Sequence, residues 1–125
     1  MTEAVFISLF ILALLSVFQT LLIAGVPIGR FAWGGQHEVL PRNLRVGSVF
    51  SIVMYVFIAV CIVSKVSVLQ IIPAGDFLDV ACWLIFAYFI ICIFMNVISR
   101  SKPERYTMTP VAIIFALCMY FIASA

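Results

Sequence analysis

Long apolar stretches alternate with short polar segments along the whole chain. The apolar stretches cover residues 3–26, 46–64, 77–98 and 110–123, and nearly every charged residue lies between them. A hydrocarbon core about 30 Å thick needs ~20 consecutive apolar residues for one helical crossing. The pattern therefore predicts an all-α fold, an integral membrane four-helix bundle formed as a single domain by residues 1–125.

The ends of the predicted helices depend on the residues that flank each stretch. Residues 66–72 either extend the second helix or lie along the membrane interface. Asp76 or Asp79 is expected to cap the third helix, because the first N–H groups of a helix need acceptors. Thr107 and Thr109 add a polar turn in front of the fourth stretch. The helices are thus predicted at about 3–26, 46–64 (or to 72), 77–98 and 108–123.

The composition agrees with a chain that lies in lipid. Hydrophobic residues make up 66% and charged residues 10%, whereas soluble domains contain about 45–50% and about 25%. A net charge of +2 is too small to argue for a nucleic acid partner. Membrane lipid is the partner that this composition predicts.

The cysteines give no sign of a redox or metal site. Cys61, Cys82, Cys92 and Cys118 all lie inside apolar stretches, without a C-x-x-C pair or a nearby ligand residue. Thiols in such positions usually act as small apolar side chains. The sequence predicts no metal site, no cofactor and no catalytic residue.

Basic residues are concentrated in two of the three connections. Cytoplasmic loops of membrane proteins carry an excess of Lys and Arg. This bias predicts that the first and third connections are cytoplasmic, that both termini lie outside, and that the protein crosses the membrane several times. It also argues against small multidrug exporters, as does the lack of an acidic residue at mid-membrane depth. The basic residues of the two connections are Arg30, Arg42 and Arg45, then Arg100, Lys102 and Arg105.

A few polar residues lie deep inside the apolar stretches, among them Gln19, Tyr55, Tyr88 and Asn96. All are placed towards the cytoplasmic half or the middle of the membrane. They either line a polar notch that opens inward, as in a channel or transporter, or form hydrogen bonds that hold helices together. The sequence leaves both interpretations open.

The first cytoplasmic connection is the most distinctive segment. It runs over 19 residues, 27–45, whereas helix bundles usually use about 2–8. Gly34-Gly35 permits positive φ, and the arginines offer forked donors for phosphate or carboxylate. Together with the third connection it gives a predicted ligand-binding set of Arg30, Trp33, Gly34, Gly35, His37, Glu38, Arg45, Arg100 and Arg105.

Several functions fit this segment. The three alternatives are an interfacial plug that contacts anionic lipid, a ligand site, and a surface for a protein partner. His37 and Glu38 are adjacent and therefore a weak catalytic pair, so a membrane enzyme ranks last. The sequence favours a non-enzymatic protein whose cytoplasmic face binds a small anionic ligand, a lipid headgroup or a partner. A channel or transporter is the alternative, and a homo-oligomer is expected because four short helices bury little surface alone.

The motifs of the two basic connections resemble those of one family. They are G-x-P-x-G at 25–29, AWGG at 32–35, LP at 40–41 and SRSxPER at 99–105. This combination resembles a family of small bacterial four-helix membrane proteins of unknown function. The resemblance covers most of the chain and implies that both connections belong to one recurring architecture. It implies no activity and no cofactor.

Overall fold

Four long helices make up most of the protein in a computed structural model that describes residues 2–125. The described residues contain no strand, and each helix is long and apolar enough to cross a membrane. The all-α four-helix bundle predicted from the sequence is therefore confirmed. The chain is a multi-pass membrane protein whose outer surface contacts lipid. The helices are α1 (Thr2–Ile23), α2 (Arg42–Lys65), α3 (Asp76–Val97) and α4 (Lys102–Ser124).

The helices pack as two hairpins. α3 packs most extensively against α4 and α1 against α2, while α1–α4 and α2–α3 contacts close the ring. The central core contains Ile58, Ile62 and Phe115, and the Phe115 ring lies 4.2 Å from that of Phe89. Lipid tails are as apolar as these side chains, so close packing rather than hydrophobicity holds the helices together.

Two helices begin earlier than the apolar stretches suggest. α2 begins at Arg42, where the Leu44 and Arg45 N–H groups bond the carbonyl of Pro41. α4 begins at Lys102 instead of residue 108, so Pro110 lies inside it. α4 is consequently 23 residues long, which is enough for a full crossing.

The connection between α2 and α3 excludes one of the two alternatives for residues 66–72 and corrects the expected cap of α3. α2 ends at Lys65, and residues 66–72 do not extend it, because the Ile72 N–H turns back to Ser64 Oγ at 3.1 Å. Neither aspartate caps α3, whose N-cap is Gly75 without a side-chain hydrogen bond. Asp79 instead forms an ion pair with Lys65. That pair ties α2 to α3 at this end of the bundle.

The two basic connections lie at one end of the bundle, which we call the loop end, and the start of α1 and the end of α4 lie at the other. Arg30 and Ser101, from the first and third connections, are in hydrogen-bond contact there. The arginines of the loop end predict that it faces the cytoplasm.

Candidate functional site

Residues 29–35, the docked segment, fold against the ends of the helices. They form two short 3₁₀ helices, Gly29–Phe31 and Trp33–Gly35. The Gly29 N–H donates to the Glu38 carbonyl at 2.8 Å, and a Cβ at Gly29 would overlap the carbonyl oxygen of His37. The backbone around the docked segment is therefore held in one tight arrangement.

Two hydrogen bonds fasten the docked segment to the start of α4. Ser101 Oγ donates to the Arg30 carbonyl, and the Gly34 N–H donates to Glu104 Oε2 at 3.0 Å. Ser101 and Glu104 have the Ser-x-x-Glu spacing of a capping box, which normally closes on its own helix. Here the Ser101 side chain makes no cap bond, and its N–H donates to Ser99 Oγ. The motif joins the first connection to the third.

Backbone conformation places an indole ring at the edge of the helices. Trp33, Gly34 and Gly35 have φ values of 53°, 72° and 72°. A non-glycine residue in this region carries strain of about 1–2 kcal/mol, and such strain clusters at functional sites. The Trp33 ring lies against Gly47 of α2, where a Cβ would come within 2.9 Å of it.

A cavity of about 240 Å³ lies between the docked segment and the helices. It reaches Tyr55, 13 residues beyond the start of α2, which is about 20 Å at 1.5 Å per residue. The cavity thus extends from the loop end to the middle of the bundle. Its lining consists of Leu15, Phe18, Gln19, Phe31, Ala32, Trp33, Ser51, Tyr55, Tyr88, Phe89, Cys92, Asn96, Glu104, Met108, Val111 and Ala112.

The structure brings the four intramembrane polar residues to this one cavity. Gln19, Tyr55, Tyr88 and Asn96 come from three helices and all line it. Gln19 Nε2 donates to Tyr55 Oη at 3.5 Å, which links α1 to α2. Gln19 Oε1 is buried and has no partner among the described residues. Gln19 and Tyr55 therefore connect two helices, while one oxygen of Gln19 is left without a partner.

Glu104 is the residue that sequence reasoning missed. Glu104 lines the cavity although the residue is only 8% exposed. It lies in the first turn of α4, where the helix dipole stabilises negative charge. The signal was the capping-box spacing from Ser101, together with Pro103 in the first turn, which starts helices well. Within residues 2–125, Glu104 is the one charged residue among those that line the cavity.

The members of the predicted ligand-binding set are distributed between the cavity wall, the start of α4 and exposed positions at the loop end. Of its nine members, Trp33 alone lines the cavity in the part of the chain described. Gly34 and Gly35 contact the start of α4 through Glu104 and Ser101. Arg30, His37, Glu38 and Arg100 are exposed.

The two remaining members of the set have local partners. Arg45 Nε donates to the Leu40 carbonyl at 2.8 Å, and the Arg105 guanidinium lies 5.0 Å from the centroid of the Tyr106 ring. None of the arginines at the loop end forms an ion pair with Glu38 or Glu104 among the described residues. None of these arginines lines the cavity.

The cysteines and acidic residues do not group into a metal site. Within residues 2–125, no three His, Cys, Asp or Glu side chains lie close enough together to hold a metal ion. Cys61, Cys82 and Cys118 are buried free thiols, and Cys92 lines the cavity. The polar and aromatic groups of the cavity are thus one carboxylate, two amides, hydroxyls, one thiol and aromatic rings, beside the thioether of Met108.

No family model, curated protein or solved structure matches this chain. The resemblance to small bacterial four-helix membrane proteins stays a prediction. The structure does bring its two loop motifs into contact, since AWGG meets SRSxPER at the Gly34–Glu104 hydrogen bond.

Proposed function

We propose that this protein is a non-enzymatic protein of the bacterial inner membrane that binds a small solute in a cavity facing the cytoplasm. One observation carries the proposal: Gln19, Tyr55, Tyr88, Asn96 and Glu104, from four helices, line a single cavity. Polar groups inside a membrane are expensive and mark ligand pathways. A volume of about 240 Å³ is below the about 300–1,000 Å³ of sites for drug-sized molecules, which favours a small ligand.

The distribution of proton-transferring groups supports binding over catalysis. General acid–base chemistry depends on a positioned acid or base, most often a histidine or carboxylate. The cavity has one carboxylate, Glu104, and no His or Lys among its described lining residues. His37 and Glu38 are exposed and lie outside the lining. An enzyme built on these two residues has no enclosed place for its substrate.

Transport is the second candidate, and the depth of the cavity favours it. The cavity reaches the middle of the bundle at Tyr55 and Tyr88. Beyond Tyr55, Ile58, Cys61 and Ile62 are almost fully buried in the core. In this arrangement the path ends inside the bundle, so a transporter requires the helices to rearrange. Solute binding is the step common to both candidates.

The arginines support contact with anionic lipid headgroups more than an enclosed anion site. Arg30, Arg42 and Arg100 are exposed at the loop end, where each basic side chain near an anionic membrane surface contributes about 1 kcal/mol. A homo-oligomer and a protein partner stay predictions.

Trp33 provides a direct test of solute binding. The chain contains two tryptophans, so Trp83→Phe leaves Trp33 at the cavity wall as the sole emitter. The protein is titrated with small ammonium compounds, carboxylates, amides and sugars. One of these classes should shift the emission maximum of Trp33 by an amount that reaches a plateau as the solute concentration rises. Gln19→Leu should then weaken affinity about tenfold or more, because a lost buried hydrogen bond costs about 1–3 kcal/mol.

The matched control is the neighbouring Thr20→Val. Thr20 is exposed and its hydroxyl bonds Ser16 of its own helix, so affinity should not change. Absence of a saturable shift with every class, or equal affinities for the Gln19 and Thr20 variants, would contradict the proposed site.

A further inference from the structure

We infer that the solute is a small organic cation, an ammonium group that carries short alkyl arms. The inference rests on the proposed solute-binding function and names the chemical class that the same cavity selects. Three properties of the wall lead to it: a carboxylate residue without a basic side chain beside it in the wall, six aromatic residues, and a buried oxygen that lacks a donor.

The charge comes from Glu104. The residue is nine-tenths buried, and its carboxylate accepts a hydrogen bond from the Gly34 backbone N–H, which carries no net charge. No basic side chain lines the cavity within the described chain. A buried charge without a counter-charge is unfavourable, so a bound cation compensates Glu104, whereas an anion is repelled by it.

Aromatic side chains form much of the remaining wall. Ring faces attract cations, most strongly when water is excluded, and cages of such rings recognise methylated ammonium groups. A metal cation fits less well, because Ca²⁺ and Mg²⁺ need six or more oxygen ligands and the wall has one carboxylate. The aromatic residues of the wall are Phe18, Phe31, Trp33, Tyr55, Tyr88 and Phe89.

The hydrogen-bonding pattern is consistent with a donor on the ligand. Gln19 Oε1 is buried without a partner among the described residues, and leaving such an acceptor unsatisfied is costly. An ammonium N–H or a hydroxyl on one alkyl arm satisfies it. The cavity volume of about 240 Å³ limits the ligand to a compact molecule.

A pair of ligands of equal shape isolates the charge. Choline and 3,3-dimethyl-1-butanol differ by a nitrogen in place of a carbon, and acetate serves as the anion. In the full chain with Trp83→Phe, Trp33 emission should report binding of choline or tetramethylammonium. The dissociation constant for choline should be at least about tenfold lower than for the neutral alcohol, since charge and cation–π terms act together.

Glu104→Gln is the matched variant, because the amide keeps an acceptor for the Gly34 N–H. It should remove the preference for choline over the alcohol, whereas Glu38→Gln, at an exposed carboxylate outside the cavity, should preserve it. The comparison of choline with the alcohol is also made in the protein that keeps Glu104, so it does not depend on whether the Glu104→Gln variant folds.

The outcomes separate the two proposals. Equal affinity for choline and the alcohol, preference for acetate, or failure of both cations while another solute class binds overturns the cation inference and leaves solute binding intact. Failure of every solute class to shift Trp33 overturns solute binding as well.

Discussion

Alanine at position 35 should destabilise the protein far more than alanine at position 34. Both glycines have φ of 72°, so each substitution carries the same penalty of about 1–2 kcal/mol for a side chain in the left-handed region. A Cβ at Gly35 would also overlap the Cβ and Oγ of Ser101, whereas a Cβ at Gly34 meets nothing within 4 Å. Overpacking of this kind adds about 1–3 kcal/mol.

The measurement is the midpoint of thermal unfolding in a mild detergent, with Trp33 emission as a second signal. Gly35→Ala should lower the midpoint by several degrees more than Gly34→Ala and shift Trp33 emission to the red, because the docked segment separates from α4. Equal midpoints and equal emission for the two variants would show that the docked segment does not rest on Ser101.

Removal of the Phe115 ring should produce the second large loss of stability. Phe115 is fully buried and supports Phe89, which lines the cavity, at a ring distance of 4.2 Å. Phe→Ala costs about 3–5 kcal/mol in water-soluble cores. One part of that cost is the free energy of exposing the ring to water, and this part disappears in lipid. The loss of packing contacts and the void left by the ring still contribute. We therefore expect Phe115→Ala to cost ~2 kcal/mol.

Phe94→Ala is the control for this substitution. Phe94 is 66% exposed on α3 and faces away from the core. Its ring therefore contacts lipid in the folded bundle and after the helices separate, so its removal should hardly change the free energy of unfolding. Its unfolding midpoint should stay close to that of the unaltered protein. A loss for Phe94→Ala as large as for Phe115→Ala would mean that the bundle packs on a different face.

The number and type of the helices could be predicted from sequence because a bilayer demands long apolar runs. Helix starts were less predictable, since hydropathy does not register polar first turns. Lys102 and Glu104 are charged yet helical, and Arg42 likewise opens α2. The local signals for the start of α4 are the Ser-x-x-Glu spacing of a capping box, from Ser101 to Glu104, and Pro103 in the first turn.

The candidate site was only half predictable for a related reason. Gln19, Tyr55, Tyr88 and Asn96 stand out because polar residues are rare in apolar runs, and they do share a cavity. The arginines stand out by charge, but their positions depend on how residues 29–35 fold. That fold depends on positive φ at three residues and on Ser101 and Glu104, contacts about seventy positions apart along the chain.

Sided cysteine labelling tests most directly whether water and small solutes enter the bundle from the loop end. Ser51 lines the cavity nine residues into α2, about 14 Å deep, whereas Val53 is 60% exposed on the lipid-facing surface. The four native cysteines are first replaced by alanine. A membrane-impermeant, cationic methanethiosulfonate is then applied to each side of oriented vesicles.

Ser51→Cys should react when the reagent is on the cytoplasmic side and stay unmodified when it is on the other side. Val53→Cys should resist the reagent from both sides, because hydrocarbon excludes it. Labelling of Ser51→Cys from the outer side alone, equal labelling of the two cysteines, or no labelling of Ser51→Cys from the cytoplasmic side would contradict a cavity that opens at the loop end.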